Sequence, residues 1–410
     1  MNRNRRHSPD ATPIDSRNAG LRNERLVMSL LRQHGELSQA QLCKLAGLSS
    51  STACYIVGRL REKNLLVEKR GESSKRGAKP IIVSVRPRAQ LVASVEISPT
   101  GIFAGLFDFN GTLVESLRAA IPGEHTQEAV VNLLEINVRG LLSKHGIGEE
   151  NVVGVGITVS GAISPTGVVQ LSAPMGWKDV PLRAMVQSRF QAPVYVFTTR
   201  VRIFAEISRM PTGVANNIVL LNFADGVGAS VVENGKLSHG ATNRAGEIGH
   251  IVFDPAGPLC GCGHRGCLET FASGPALAAR IRGCIQNGSE TILRDWIKPE
   301  DVPRDVLGHL GRAIATEDAF ALEIRGLIAD YVSRATAIAI NCYDPDTLIL
   351  TGYVIAQSPE YFIQAAQDRI SSDVFDHYTR DIKIIVDRSG EESLIRGVAT
   401  AVLNASLESI

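Results

Sequence analysis

The sequence predicts an α/β protein in which an N-terminal winged helix-turn-helix is followed by two larger α/β lobes. Three observations predict this order. Apolar residues first repeat with helical spacing, two short β-like runs follow, and beyond about residue 90 strand-like and helix-like segments alternate in two successive series. A chain of 410 residues is long enough for two or three domains.

The composition excludes several classes of protein. With 44% apolar and 21% charged residues the chain resembles an average globular protein, and no apolar run approaches the roughly 20 residues that span a bilayer. The first residues, MNRNRRHSPDATP, lack the apolar stretch of a signal peptide. We therefore expect a cytoplasmic protein with no membrane partner.

The net charge of +1 hides a strong asymmetry along the chain. Residues 1–90 contain 18 Lys and Arg against 7 Asp and Glu, a balance of +11, whereas residues 91–410 contain 25 against 35, a balance of −10. A basic terminal domain next to an acidic remainder favours a polyanionic partner, although a basic face can also be merely solvated.

The N-terminal region divides into a flexible basic arm over residues 1–20 and a winged helix-turn-helix domain over residues 21–88. A helix is predicted from Arg22 to Gln33, a second is capped by Ser38, and a third begins at Ser49–Ser51 after a turn at Gly47. Two β-like runs then flank a polar loop and predict a wing: Leu65–Lys69 and Ile81–Val85.

A helix-turn-helix reads DNA because its second helix fits the major groove and presents short polar side chains near its start. The wing resembles an Arg-Gly-Arg-Pro type of insert, in which cations enter the minor groove. An ordinary helical subdomain with a solvated basic loop is the alternative. The candidate DNA-binding residues are Ser49, Ser50, Ser51, Thr52, Tyr55 and Arg59, with Arg61 and Lys63 behind them and Lys75, Arg76 and Lys79 in the wing.

Residues 89–410 are predicted to form the two α/β lobes. The first series comprises strands over Leu91–Ile97, Gly101–Phe109, Gly111–Ala119 and Val152–Val159, with a helix over Thr126–Lys144. The second comprises strands over Asn217–Phe223, Gly228–Glu233, Lys236–Ser238, Thr347–Leu350 and Lys383–Val386, with helices in much of Ala276–Asn341.

Three of the seven cysteines lie in one short glycine-rich segment, at Cys260, Cys262 and Cys267. This spacing favours zinc over disulfides, because a Cys-x-Cys-x4-Cys loop supplies three thiolates from one turn. The fourth ligand is His250 or His264. A site with all four positions filled by protein is structural, and three reduced cysteines without metal are the alternative.

These residues resemble the signature of a known family. Gly246-Glu247-Ile248-Gly249-His250, followed by the run from Cys260 to Glu269, is similar to the motif of the ROK family of repressors, open reading frames and sugar kinases. The winged helix-turn-helix resembles the branch of xylose and N-acetylglucosamine repressors. The resemblance implies an actin-like ATPase fold of two lobes, a zinc held by His250 and the three cysteines, and a sugar-like effector in the cleft between lobes.

Two phosphate-binding loops of the ROK kinases are altered here, so ATP is not expected. The first, Asp-x-Gly-Gly-Thr in kinases, reads Glu96-Ile97-Ser98-Pro99-Thr100, and the second, Gly-Thr-Gly-x-Gly, reads Ala224-Asp225-Gly226-Val227-Gly228. Thr198 and Thr199 stand where the kinases carry an Asn-Asp pair, and a Thr hydroxyl cannot replace a carboxylate base. We therefore expect no enzyme activity.

The effector site retains part of the family pattern. Glu247, His250 and Glu269 match sugar contacts, and Gly161 lies at the turn beside the sugar. The alternative role for the two glutamates is to support the zinc loop without contacting an effector.

Three functions remain open at this point. The favoured one is a ligand-responsive transcriptional regulator, a repressor of carbohydrate uptake or catabolism genes, that binds a double-stranded DNA operator as a homodimer or homotetramer. A sugar kinase carrying a DNA-binding domain is the alternative. The third is a constitutive DNA-binding protein whose sensor lobes no longer bind an effector.

Overall fold

The computed structural model describes residues 16–71, 79–121, 126–172, 174–210, 216–387 and 392–409. The first part, here called the head, contains three helices and three strands. They are α1 (Ser16–His34), β1 (Glu36–Ser38), α2 (Gln39–Ala46), α3 (Ser50–Glu62), β2 (Leu66–Arg70) and β3 (Ile81–Val85). The strands form an antiparallel sheet in the order β1-β3-β2.

Local sequence determines where the helices of the head begin and end. Ser38 caps α2 in a capping box with Gln41, and Ser49 caps α3 by accepting a hydrogen bond from the Thr52 amide at 3.1 Å. Gly47 ends α2 in the left-handed conformation, with φ of 63°. The predicted helix-turn-helix is therefore formed by the capping residues that the sequence indicated.

Two elements of the head differ from the sequence-based prediction. Helix α1 begins at Ser16 rather than Arg22, so the predicted arm boundary at residue 20 lies inside a helix. Its first turn, Ser16-Arg17-Asn18-Ala19, contains no large apolar residue, so hydrophobic periodicity could not detect it. The three-residue strand β1 was also missed, because it is too short for an alternating pattern.

The chain divides into two compact units that do not follow the chain order. Unit 1 comprises residues 1–157, 183–195 and 399–410, and unit 2 comprises residues 158–182 and 196–398. The head thus belongs to unit 1, together with the sheet that follows it.

That sheet has five strands in the order β11-β7-β4-β5-β6. The segment runs through β4 (Leu91–Ser98), β5 (Gly101–Asp108), β6 (Leu113–Ala119), α4 (Gln127–Lys144), β7 (Val152–Val159), β8 (Ala162–Ile163), β9 (Val169–Ser172), β10 (Trp177–Val180), α5 (Leu182–Gln187) and β11 (Val194–Phe197). Strands β8, β9 and β10 form a separate small antiparallel sheet in unit 2. Buried residues of α4 recur with helical spacing, as the sequence predicted.

Unit 2 is built around a second five-stranded sheet, in the order β14-β13-β12-β15-β16. Its elements are α6 (Ile203–Ile207), β12 (Ile218–Phe223), β13 (Val227–Glu233), β14 (Lys236–Leu237), α7 (Glu269–Ala272), α8 (Gly274–Gln286), α9 (Leu293–Trp296), α10 (Pro303–Ala315), α11 (Ala319–Tyr343), β15 (Thr347–Thr351), α12 (Pro359–Asp373) and β16 (Lys383–Val386). Strands β12, β15 and β16 are parallel, and β12, β13 and β14 are antiparallel. The carboxyl ends of β12 and β15 therefore lie at the same edge of the sheet.

Helix α13 (Ser393–Ser409) contributes residues to both units. Within unit 2, Arg202 donates a hydrogen bond to the Ser393 hydroxyl at 2.8 Å. Within unit 1, Arg32 of α1 donates to the Asn404 side chain at 2.9 Å. In the part of the chain that the structure describes, no helix is long and apolar enough to cross a membrane.

Candidate DNA-binding surface, metal centre and effector site

Helix α3 presents a polar face opposite its buried face. Ala53, Ile56, Val57 and Leu60 are at most 3% exposed. Ser49, Ser50 and Ser51 are exposed at its start, Thr52 is half-buried, and Tyr55 is 66% exposed. The Ser49 hydroxyl lies 2.9 Å from Ser51 Oγ and 2.8 Å from Thr52 Oγ1, so the first turn forms a hydroxyl cluster.

The cations of α3 are already engaged inside the head. Glu24 of α1, whose side chain is 3% exposed, lies 2.9 Å from both Arg59 Nη1 and Lys63 Nζ. Arg61 pairs with Glu68 at 2.9 Å, and the Arg59 guanidinium lies 5.9 Å from the centre of the Tyr55 ring. Arg59 therefore supports Tyr55 and packs α3 against α1, in addition to any role toward DNA.

Of the predicted wing cations, only Lys79 lies within the described residues, and it is exposed. Lys75 and Arg76 lie outside them. The strands that flank the loop pair in register from Leu66 with Val85 to Arg70 with Ile81, so a wing is present.

The structure adds Cys54 to the polar face of α3. This residue is exposed, and its Sγ lies 3.6 Å from Oε1 of Gln39, the first residue of α2. The sequence contained the signal, since residues 50, 51, 54 and 55 share one helical face.

The three cysteines of the glycine-rich segment and His250 form a compact group. Their potential metal-ligating atoms all lie within 4.8 Å of one another. The Cys262 and Cys267 sulfurs are 3.6 Å apart, and His250 Nδ1 lies 3.6 Å from Cys260 Sγ. Three thiols and one imidazole at this spacing are the donor set that a tetrahedral zinc requires, so the residues fit the metal that the family implies.

His250 and His264 both approach the thiols, but in different ways. His250 Nδ1 faces Cys260, whereas Nε2 on the other side of its ring lies 4.0 Å from Glu247 Oε2. His264 Nδ1 lies 3.5 Å from Cys262 Sγ, yet this histidine is exposed and outside the four-residue group. The geometry therefore favours His250 as the fourth ligand.

The surroundings of the three thiols shift their pKa values in different directions. Hydrogen bonds from the backbone and ring of His264 lower the pKa of Cys262 to about 6. Burial raises the pKa of Cys267 and Cys260 above the ordinary thiol value. Three thiols so close together cannot all ionise unless a cation offsets their charge, because like charges disfavour one another.

Arg200 helps to hold the loop that precedes Glu247, one of the predicted effector residues. Arg200 is 8% exposed and donates to the Ala245 carbonyl at 2.5 Å and to the carbonyl and side-chain oxygens of Asn243, each at 2.7 Å. Asn243 in turn donates to the Ile163 carbonyl at 2.7 Å. This joins the loop that precedes Glu247 to the segment that follows Gly161.

Arg200 does not offer a free guanidinium to a ligand, because carbonyl and hydroxyl oxygens already occupy its donors. A further hydrogen bond runs from its Nε to Thr198 Oγ1 at 3.0 Å. Burial lowers the pKa of Arg200, and the negative charge of Glu247 opposes that shift. Arg200 thus links Thr198 to the loop that contains Asn243 and Ala245.

The two predicted effector glutamates have different surroundings. Glu247 is exposed, and Gly246 before it has φ of 86° where a Cβ would collide with the Ala229 carbonyl. Glu269 is half-buried, and its Oε2 accepts a hydrogen bond from the Val227 amide at 3.1 Å. Of the two glutamates, Glu269 thus has its carboxylate bound by a backbone amide, whereas the exposed Glu247 carboxylate lies near the His250 ring.

Two regions of the chain match known protein families. Residues 92–405 match the ROK family, and residues 22–77 match the MarR family. The chain belongs to the ROK family.

Relatives of this ROK protein span its whole described architecture. A putative xylose repressor from Caldicellulosiruptor sp. (strain Rt8B.4) is 25% identical over 389 residues, which cover 94% of this chain and 96% of that protein. The DNA-binding transcriptional dual regulator NagC of Escherichia coli (strain K12) is 22% identical, with 95% and 94% covered. The crystal structure of a ROK family transcriptional regulator, a homolog of the E. coli MLC protein, gives a TM-score of 0.79 at 23% identity, covering 95% of this chain and 96% of that chain.

These comparisons confirm the predicted family and fold class. The ROK protein has an N-terminal winged helix domain followed by an actin-like fold of the ROK type, as its Cys-rich signature and helix-turn-helix pattern predicted. The site residues remain predictions.

Proposed function

We propose that this ROK protein is a DNA-binding transcriptional repressor of carbohydrate uptake or catabolism genes, whose affinity for its operator depends on a sugar or sugar derivative. The observation that carries the proposal is the combination of a winged helix-turn-helix with a ROK fold. The resemblance to ROK kinases supports it further, because Thr198 and Thr199 stand where those kinases carry an Asn-Asp pair. Relatives named as xylose and N-acetylglucosamine repressors support the same reading. The protein acts in the cytoplasm, where its operator lies.

The effector binds in unit 2, where Glu247, His250, Glu269 and Gly161 contribute contacts. Glu247 is the strongest of these, because its exposed carboxylate can accept two hydroxyl hydrogen bonds, each assisted by its charge. His250 links this carboxylate to the metal group, since its two ring nitrogens face Cys260 and Glu247. Effector binding and metal binding therefore share one side chain.

Zinc is the metal we assign to His250, Cys260, Cys262 and Cys267. A set of three thiolates and one imidazole leaves no position for substrate, so the ion is structural. When bound, it supplies a fixed point that holds the glycine-rich segment and the His250 ring in one orientation.

Two assays test the proposed function. The operator is first selected from random DNA by the purified chain, and its affinity is then measured across a panel of pentoses, hexoses and N-acetylated sugars. We expect one sugar class to change the affinity by roughly tenfold or more, in line with ordinary coupling energies. Glu247→Gln should lose that response. Glu233→Gln changes the last residue of β13, outside the predicted effector residues, and should keep it.

The kinase alternative is tested by ADP release with the same sugars and MgATP. We expect no release above background. Turnover with any sugar would establish the kinase, and an operator affinity that no sugar changes would favour a constitutive DNA-binding protein.

A further inference from the structure

The carboxyl ends of β12 and β15 form the kind of edge where α/β proteins bind phosphates. The turn after β12 contains Gly226, and its Ala224 carbonyl accepts a hydrogen bond at 2.7 Å from the amide of Gly274, the first residue of α8. A glycine-bearing turn next to the N-terminus of a 13-residue helix is a common anion-binding arrangement. In this chain, the protein's own side chains fill the space where an anion would bind.

The first occupant is the carboxylate of Glu269. Its Oε2 accepts the hydrogen bond of the Val227 amide at 3.1 Å, and the same oxygen lies 2.8 Å from the position that a Cβ on Gly226 would take. An amide that could bind a phosphate oxygen is thus already satisfied. A phosphate placed here would also face a like charge.

The second occupant is a hydrogen-bonded pair, Asp225 and Tyr353, which we call the occluding pair. The Tyr353 hydroxyl donates to Asp225 Oδ1 at 2.7 Å, and its phenol oxygen fills the space that a Cβ on Gly274 would need. The ring therefore lies against the first residue of α8. Burial and the Asp225 carboxylate raise the pKa of Tyr353, so the phenol keeps the proton that it donates.

Neighbouring side chains hold Tyr353 in this position. The Arg304 guanidinium of α10 lies 5.3 Å from the centre of its ring, and the Gln357 amide donates to its carbonyl at 2.6 Å. Tyr353 follows Gly352, at a turn with φ of 105° that packs against the Phe223 carbonyl. Arg304 thus contacts the ring of Tyr353, and Gln357 holds its backbone.

We propose that the occluding pair occupies the phosphate-binding edge of unit 2 and excludes nucleotides from it. The residues present do not fit a nucleoside phosphate, although the fold is shared with kinases. This inference deepens the proposed function, on which it rests: Thr198 and Thr199 stand where the kinases carry their catalytic base, and the occluding pair also fills the space for the phosphate donor.

The test measures binding of MgADP to the full-length, metal-loaded chain by calorimetry. We expect no binding by the wild-type chain at roughly 1 mM nucleotide, the range of weak specific affinities. The double variant Tyr353→Gly with Asp225→Thr removes the ring and the carboxylate, and should bind MgADP at least about tenfold more tightly than the wild-type limit. Tyr361→Ala, which removes a tyrosine from α12 in the same unit, is the matched control and should not bind.

Two results would overturn the inference. One is binding of MgADP by the wild-type chain as tight as that of the double variant. The other is a double variant with wild-type metal content and circular dichroism that still fails to bind. Neither result bears on the proposed repressor function. That proposal would fail separately, if the wild-type chain phosphorylated a sugar or did not bind its operator.

Discussion

Glu24 is a buried acid that holds the two main helices of the head together. Its carboxylate, 3% exposed, faces one guanidinium and one ammonium group at 2.9 Å each. The positions of Val27, Met28 and Leu31 place it on the same inward stripe of α1, where burial of an unpaired carboxylate would be costly. Arg59 and Lys63 remove that cost by supplying both charges from α3.

We therefore expect Glu24→Gln to lower the free energy of unfolding of the head by about 1–3 kcal/mol, because a buried charge pair loses one partner. Chemical denaturation monitored by circular dichroism measures the change. Glu68→Gln is the control, since its partner Arg61 is 56% exposed and such pairs contribute at most about 1 kcal/mol. Equal effects of the two substitutions would contradict the role of Glu24.

Glu206 of α6 gives the protein a specific pH dependence. Burial, a hydrogen bond with Asp387 and its negative charge raise the pKa of Glu206 to about 8. The folded-state pKa thus exceeds the ordinary carboxyl value, so Glu206 is protonated in the native state near neutral pH. Its contribution to stability is complete below about pH 4.5 and is lost as pH rises toward 8.

Glu206→Gln should accordingly be less sensitive to pH than the wild-type chain. We expect the melting temperature of the wild type to fall more than that of the variant between pH 5 and about pH 8.5, because only the wild type must ionise a buried carboxyl. Scanning calorimetry at several pH values measures this. Parallel curves for both proteins would exclude Glu206 as the responsible group.

At the scale of single elements, we expect α3 to read bases and the wing to contact phosphates. Tyr55→Ala removes an exposed side chain from the reading face and should cost roughly 1–3 kcal/mol on the selected operator but little on random DNA. Lys79→Ala should weaken both DNAs equally and reduce the salt slope by about 0.9, the contribution of one phosphate contact. Titrations at several salt concentrations distinguish these outcomes, and equal losses for Tyr55→Ala on both DNAs would argue against base reading.

The proposed zinc site predicts that the glycine-rich segment needs a metal ion for its stability. We expect the purified chain to hold about one zinc ion, and Cys262→Ser to release it and lower the melting temperature, since metal binding is coupled to folding. Cys342→Ser, an exposed cysteine outside the group, is the control. Elemental analysis that finds no zinc in freshly purified protein would refute the assignment.

An element can be predicted from the sequence when the residues that determine its ends lie close together along the chain. Helices α2 and α3 were predictable because Ser38, Gly47 and Ser49 mark their ends locally, and strands β3 and β7 because their apolar runs have clear limits. The arrangement of Arg200 around Asn243 was not, since the two residues lie 43 positions apart and an Arg-rich segment gives no sign of its carbonyl partners. Tyr353 was missed for the same reason, because only the fold brings it to Asp225.

At the scale of the whole molecule, we predict a homodimer or homotetramer. Winged helix domains gain affinity when a symmetric assembly binds two half-sites of an operator. A single chain has one α3 and can therefore read only one half-site. Sedimentation velocity of the free chain and of its complex with the selected operator measures the state. A monomer under both conditions would contradict the prediction.

The hydrogen bond between Arg32 and Asn404 joins residues that lie 372 positions apart. The polypeptide of the head is made before α13, but unit 1 also includes residues 399–410. Until α13 has been synthesised, the contact between Arg32 and Asn404 cannot form. The unit that contains the helix-turn-helix therefore acquires its final segment only after residues 196–398 of unit 2 have been synthesised.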